Sequence, residues 1–173
     1  MTVSMKTAAV PELRKTICSS AIFQAAMAQE HHYDTTLGRH SVLVYRQALR
    51  ICKAPEKKGI MTDRRCITVA SLCHDLGMVG RKDRYKNNLE CCIKHPRAAL
   101  TEAGRLIDDI DPKTEKAILS HMWPLGVRIP TSREGWILAA ADKIVSTAGT
   151  VHIILHMLPA KQKHAGRHIS PLR

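Results

Sequence analysis

The apolar residues of this chain recur at helical spacing, and no segment shows the convincing alternation of a half-buried strand. In residues 37–53, for example, Leu37, Val44 and Ile51 belong to one broad apolar face. Only 3% of the residues are aromatic, so the core must be built from aliphatic side chains and methionine, which include strong helix formers. The sequence therefore predicts an all-α fold.

Capping residues, prolines and glycines divide the chain into about seven predicted helices. Pro11 opens the first helix, and Thr62 and Gly77 mark the start and the end of the third. Asp111 and Ser132 are predicted to cap two later helices. The predicted helices cover residues 12–30, 37–53, 63–75, 95–107, 112–121, 133–147 and 150–158.

The length of 173 residues suits one domain with one substantial core, and the sequence contains no internal repeat. We expect a single helical domain over residues 1–158, with its core at 37–148. Residues 159–173 form a basic C-terminal tail, which is predicted to be mobile.

Basic residues outnumber acidic ones by 27 to 15, which gives a net charge of +12. They cluster in residues 50–65, 81–86 and 161–173. Such a surface attracts polyanions, so it indicates a phosphate-bearing substrate or a nucleic acid, although a solvated surface explains the same composition. Few aromatic residues stand among the basic ones, which argues against a stacking platform for single-stranded nucleic acid.

Cysteine usage and hydropathy predict a cytoplasmic protein. The six cysteines include no CxxC pair and stand mostly in apolar or helical stretches, as is typical of free thiols in a reducing compartment. No apolar run reaches the ~18 residues of a membrane span, and Pro11, Glu12 and Arg14 interrupt the start before a secretory signal could form. We expect no membrane partner.

Several residues with metal-binding chemistry stand in apolar surroundings. The stretch "TVASLCHDLGMVG" at 68–80 carries His74 and Asp75 at the end of an apolar helix, and Asp142 is embedded in "WILAAADKIV". A buried carboxylate without a partner is costly, and a metal ion or a set of histidines is an efficient partner. The candidate histidines inside or at the ends of helices are His40, His95 and His121. We place His31 and His32 at the exposed end of the first helix, without a role.

This ordered set resembles the HD-domain superfamily of metal-dependent phosphohydrolases, which is named for its His-Asp pair. The resemblance covers about residues 37–148. "HDLGMVG" is similar to the family's His-Asp-apolar-Gly-Lys segment, with Met78 in place of the usual lysine, and "ILAAADKI" is similar to its closing helix. "KHPRAAL" and "ILSHMWP" supply two histidines in the order that members with two metals show.

The resemblance implies two divalent metal ions per chain, chosen from Mn, Fe, Zn, Ni or Mg. It implies that Asp75 bridges the two metals. His40, His74 and Asp142 would hold the first metal, and His95 and His121 the second. A water between the metals would lose a proton and attack a phosphate ester. Cationic side chains must then stabilise the reacting phosphate. The candidates are Lys143 and Arg97 as catalytic residues, with Arg81 and Lys82 contacting the substrate phosphate.

Differences from the motifs of known subfamilies narrow the range of expected substrates. The cyclic-di-GMP phosphodiesterases of the HD-GYP type carry a His-His pair where this chain has His121 and Met122. The (p)ppGpp hydrolases carry a Glu-Asp pair after the His-Asp pair, and this chain has none there. The chain therefore resembles the small, stand-alone bacterial HD hydrolases, which implies a nucleotide or another small phosphorylated molecule as substrate. The alternatives are a di-iron oxygenase with the same ligands, and a non-enzymatic metal-binding signalling or scaffold domain.

Overall fold

A computed structural model describes residues 2–32 and 35–157, and within them the chain forms eight α-helices and two small two-stranded sheets. The prediction of an all-α fold is confirmed. The helices are α1 (Val10–Ser19), α2 (Ala21–Ala28), α3 (Leu37–Glu56), α4 (Arg64–Cys73), α5 (Arg81–Arg84), α6 (Asn88–Gly104), α7 (Pro112–Ser120) and α8 (Arg133–Met157). A 3₁₀ turn covers Leu76–Met78. The predicted tail at 159–173 lies outside the described residues.

The two sheets are minimal and join segments that are close to helix ends. The strands are β1 (Val3–Ser4), β2 (Glu30–His32), β3 (Thr35–Thr36) and β4 (Ile107–Asp108). Strand β1 pairs in parallel with β4, and β2 pairs antiparallel with β3. The β2–β3 hairpin precedes α3, so His31 and His32 lie in a strand and not at the end of a helix as predicted.

Two predicted helix boundaries near the N-terminus are wrong. The first helix is divided in two because the Ser20 side chain accepts a hydrogen bond from the Phe23 N–H and so begins α2. Asp63, not Thr62, caps α4, because its carboxylate accepts from the N–H groups of two residues in the first turn. The Thr62 hydroxyl instead donates to the Glu56 carboxylate. The predicted caps at Asp111 and Ser132 are confirmed.

Two further helix boundaries differ from the prediction, and the first of them changes the position of His95. Helix α6 begins at Asn88, capped by the Asn87 side chain, so His95 lies in the middle of the helix and Pro96 follows it there. Helix α8 continues from 133 to 157, although a break was predicted near residue 148. A single glycine in a helical pattern lowers helix stability but need not end the helix.

Helix α4 lies at the centre of the fold. All eight of its residues from Cys66 to Cys73 are buried, and the helix contacts α1, α3 and α7. Helix α3 packs on α8, and α6 packs on both α7 and the 3₁₀ turn. The C-terminal end of α4 therefore delivers His74 and Asp75 into the middle of the helical bundle. No helix among the described residues is long and apolar enough to cross a membrane.

Gly77 permits the 3₁₀ turn to lie directly against the backbone of α6. A Cβ atom at this position would clash with the His95 carbonyl oxygen and the Ala99 nitrogen, which are backbone atoms and cannot rotate away. Helix α4 ends earlier, at Cys73. The glycine is therefore required for close packing of the turn against the part of α6 that carries His95, rather than as the end of a helix.

We expect Gly77→Ala to reduce the free energy of unfolding by about 1–3 kcal/mol, because the added methyl group must push α6 away from the turn. Urea denaturation measures the change. Gly104→Ala is the matched control, since a Cβ atom there meets nothing within 4 Å, and we expect no loss of stability. Equal losses in the two variants would contradict the close-packing argument.

Candidate metal centre

The six predicted metal ligands meet in one buried cluster. His40 comes from α3, His95 from α6 and Asp142 from α8, while His121 directly follows α7. His74 and Asp75 follow α4. Each of the six side chains belongs to a residue that is at most 6% exposed. Five helices that are separate in the sequence therefore direct imidazoles and carboxylates to one place.

The two carboxylate oxygens of Asp75 face two different pairs of histidines. Oδ1 lies 3.3 Å from Nε2 of His95 and 3.4 Å from Nε2 of His121. Oδ2 lies 3.3 Å from Nε2 of His74 and 3.7 Å from Nε2 of His40. Asp75 thus stands between the pairs, with one oxygen directed to each.

Asp142 joins the pair formed by His40 and His74. Its Oδ1 atom lies 3.0 Å from Nε2 of His40 and 3.9 Å from Nε2 of His74. Its other oxygen accepts from Nζ of Lys143 at 2.6 Å, and the same ammonium group donates to the His121 carbonyl oxygen at 3.3 Å. Lys143 therefore orients Asp142 and links it to the chain beside the second histidine pair.

Backbone carbonyls determine which ring nitrogens face the cluster. Nδ1 of His74, His95 and His121 each lies at hydrogen-bond distance from a carbonyl oxygen, and these belong respectively to Ser71 (2.9 Å), Cys91 (2.8 Å) and Ile118 (2.7 Å). A carbonyl only accepts, so Nδ1 carries the proton of the neutral ring. In the neutral form of each of these rings, Nε2 therefore carries the lone pair and faces the cluster, as in metal-binding histidines.

The donor atoms of this cluster fit a bound cation. Nε2 of His95 and Nε2 of His121 are only 3.0 Å apart, and two lone pairs at that distance repel each other unless a proton or a cation is shared between them. Nε2 of His74 is fully buried, and its 3.3 Å contact with Oδ2 of Asp75 does not have the geometry of a hydrogen bond. Imidazole nitrogens and carboxylate oxygens are common ligands of divalent metal ions. The cluster thus has both the chemistry and the unsatisfied lone pairs of a metal site.

The pKa values of Asp75, His74 and His121 are shifted by burial and by the charges of the cluster. Burial disfavours the charged form of Asp75, but the facing histidines outweigh this effect and hold the pKa of its carboxyl well below the usual range. Burial would lower the pKa of His74, yet the charge of Asp75 and its neighbours raises that pKa to about 9. Burial lowers the pKa of His121, so this ring stays neutral and able to bind metal. Without a cation, His74 therefore balances the buried negative charge by holding a proton.

A family model described as HD domain matches residues 37–147, which is more than half of the chain and includes all six cluster residues. The chain belongs to the HD-domain family. HD domains bind divalent metals, and most members of the family are metal-dependent hydrolases. Searches of curated proteins and of solved structures found no match to this HD domain.

The three cationic side chains that were predicted to act on the substrate phosphate differ in exposure and in position relative to the cluster. Arg97 is exposed and lies two residues after His95, about 200° around the axis of α6, so α6 does not direct it to the cluster. Lys82 is exposed on α5. Arg81 is half-buried, and its positive charge opposes the rise that burial causes in the pKa of the Cys91 thiol. Of these three cations, Arg81 is the one whose charge acts on Cys91, the residue whose carbonyl oxygen accepts from the His95 ring.

One histidine near the cluster was not expected from the sequence. A ring nitrogen of His31, a ring nitrogen of His40 and a carboxylate oxygen of Asp75 all lie within 4.8 Å of one another. His31 precedes the matched HD segment and comes from the β2–β3 hairpin. No spacing rule connects a residue in this hairpin to the helical ligands, so sequence patterns could not have identified it.

We expect the metal affinity of this HD domain to rise with pH. Because His74 holds a proton up to about pH 9 without metal, and only the deprotonated nitrogen binds metal, each bound cation at that position must displace a proton. The apparent association constant should increase about tenfold per pH unit between pH 6 and 8. Competition with a chelator of known pH dependence measures it. A constant affinity over this range would contradict the assignment of His74.

Proposed function

We propose that this HD domain is a metal-dependent phosphohydrolase that holds two divalent cations and cleaves a phosphate ester. The observation that supports this proposal is the position of Asp75, whose two oxygens face two separate histidine pairs. A carboxylate in that position can bridge two cations roughly 3.5–4 Å apart, which is the spacing of two-metal hydrolase sites. Asp142 adds a second carboxylate to the His40 and His74 pair, so each half of the cluster has at least three donors.

The donor set narrows the choice of metal. The cluster contains four histidines but only two carboxylates. Imidazole suits Fe, Ni and Zn, whereas carboxylate-rich and water-rich sites suit Mg and Mn. We therefore propose Fe, Ni or Zn as the bound metals, because Mn and Mg are the members of the predicted set that suit these ligands less.

We assign separate roles in hydrolysis to the bound cations, to Asp75 and to the cationic residues around the cluster. Two bound cations would lower the pKa of a water molecule and polarise the phosphoryl oxygens. Asp75 would bind both cations and so hold them next to each other. Lys143 contacts the carboxylate of Asp142, so we assign it to positioning Asp142 and to reducing the negative charge of the site. Arg81 is our first candidate for contact with the substrate phosphate, ahead of Lys82 and Arg97.

We propose a nucleotide or another small phosphorylated molecule as the substrate. The net charge of +12 supports an anionic substrate, because a basic surface raises the local concentration of anions. The basic segment 81–86 follows Asp75 within a few residues, so part of this charge lies in the chain next to the cluster. Long-range attraction of this kind should weaken as salt is added.

The first test of the proposal is metal analysis of the untagged protein after anaerobic purification. We expect about two equivalents of Fe, Ni or Zn per chain, followed by phosphate release from at least one compound in a nucleotide and phosphate-ester panel. Two irons with oxygen consumption and no phosphate release would instead support an oxygenase. A protein that binds no metal after reconstitution with each candidate would overturn the proposal.

The Asp75→Ala variant should lose both metals and all phosphate release, because both histidine pairs face this carboxylate. The His121→Ala variant should retain one metal per chain, since only the His95 side loses a ligand. Inductively coupled plasma mass spectrometry on each variant gives the stoichiometry.

Asp83→Ala, which removes an exposed carboxylate from α5, is the matched control and should keep two metals. Two metals in Asp75→Ala would show that the carboxylate does not bridge. Two metals in His121→Ala would show that the second pair is assigned wrongly.

A further inference from the structure

The strand that carries His31 is anchored to the loop that follows the metal cluster. The Gln29 side chain makes two hydrogen bonds to this loop: Nε2 donates to the Met78 carbonyl oxygen at 2.9 Å, and Oε1 accepts from the Gly80 N–H at 2.7 Å. The Gln29 carbonyl oxygen also accepts from the N–H of Leu37 at 2.9 Å. These bonds join the start of β2 to the 3₁₀ turn after Asp75 and to the start of α3.

The anchored strand places the His31 ring beside the first half of the cluster. The ring centroids of His31 and His40 are 5.0 Å apart, and the two rings are tilted by 48°. One potential ligand atom from each of His31, His40 and Asp75 lies within 4.8 Å of the other two. Three donors from three separate segments at this spacing form a possible ligand set for one cation.

His31 differs from the six cluster residues in exposure and in origin. It is half-buried, whereas each of the six is at most 6% exposed. It also lies before residue 37, outside the segment that the family model matches. His31 is therefore a more exposed residue at the edge of the buried cluster.

We propose that His31 is a further ligand of the cation held by His40, His74, Asp75 and Asp142. Those four residues already bring two carboxylates to this cation, so a neutral imidazole adds a donor without adding negative charge. Gln29 supports the ligand by fixing the strand relative to the loop after Asp75. This proposal rests on the metal binding of the proposed function, but it does not depend on which reaction the site performs.

Metal affinity of His31 variants tests the proposal. With Zn²⁺ as the probe and a fluorescent chelator as competitor, we expect His31→Ala and His31→Gln to bind one of two equivalents at least about tenfold more weakly than the wild type. The other equivalent, on the His95 side, should keep its affinity. Glu30→Ala is the matched control, because Glu30 is an exposed residue of the same strand, and it should bind both equivalents as the wild type does.

A spectroscopic measurement separates a ligand from a residue that only shapes the strand. We expect the visible spectrum of the Co²⁺-loaded protein to change in both His31 variants and to stay the same in Glu30→Ala. Circular dichroism of the metal-free proteins reports whether the variants fold, and the glutamine variant keeps a polar side chain of similar size should the alanine variant fail to fold.

The outcomes distinguish this proposal from the proposed function. A wild type that binds neither Zn²⁺ nor Co²⁺ overturns both. A wild type that binds two equivalents, with a folded His31→Gln variant of equal affinity and unchanged cobalt spectrum, overturns the role of His31 alone. A loss of affinity in Glu30→Ala as large as that in His31→Ala also overturns it, because the strand and not the imidazole would then be responsible.

Discussion

The buried carboxylate of Asp75 is the group on which the arrangement of this HD domain depends. A carboxylate that is removed from water must be compensated, and here four histidine Nε2 atoms lie within 3.7 Å of its two oxygens. Those histidines come from four different segments, so the compensation of one charge requires that α3, α6 and the ends of α4 and α7 meet. A second buried carboxylate, Asp142, brings α8 to the same point and is itself balanced by Lys143.

The surrounding backbone holds the imidazoles in the orientation that this charge requires. Three of the histidines are oriented by carbonyl oxygens of their own helices, so each ring is set by a local contact before any cation binds. Gly77 allows the turn after Asp75 to touch the backbone of α6, which brings His95 to the carboxylate. The cluster is thus preorganised by packing and by hydrogen bonds, and its lone pairs and negative charges are compatible with a divalent cation. These features are what a metal site needs from its protein.

Much of this architecture could be predicted from the chain, and the errors have physical causes. The helical class, the caps at Asp111 and Ser132, and the six-residue set depend on residue identity and near neighbours. The boundaries at Ser20, Asp63 and Asn87 were missed because several residues in each region can cap a helix, and packing selects one of them. Arg97 was predicted to act on the phosphate because it is near His95 in sequence, but the helical rotation between the two residues places Arg97 on an exposed face of α6. His31 was missed because its relation to the cluster passes through a hairpin and through Gln29.

The sequence by itself determined the helical class and the order of the chemically distinctive residues, because periodicity and residue type are local properties of a chain. It also determined that a buried Asp142 would need a compensating partner. Only the tertiary structure decided which oxygen of Asp75 faces which histidine pair, that Lys143 contacts Asp142, and that His31 lies beside His40 and Asp75. The contacts that build the cluster join residues as far apart as His40 and Asp142, which are 102 positions apart, and they are set by how closely whole helices pack rather than by any pattern along one of them.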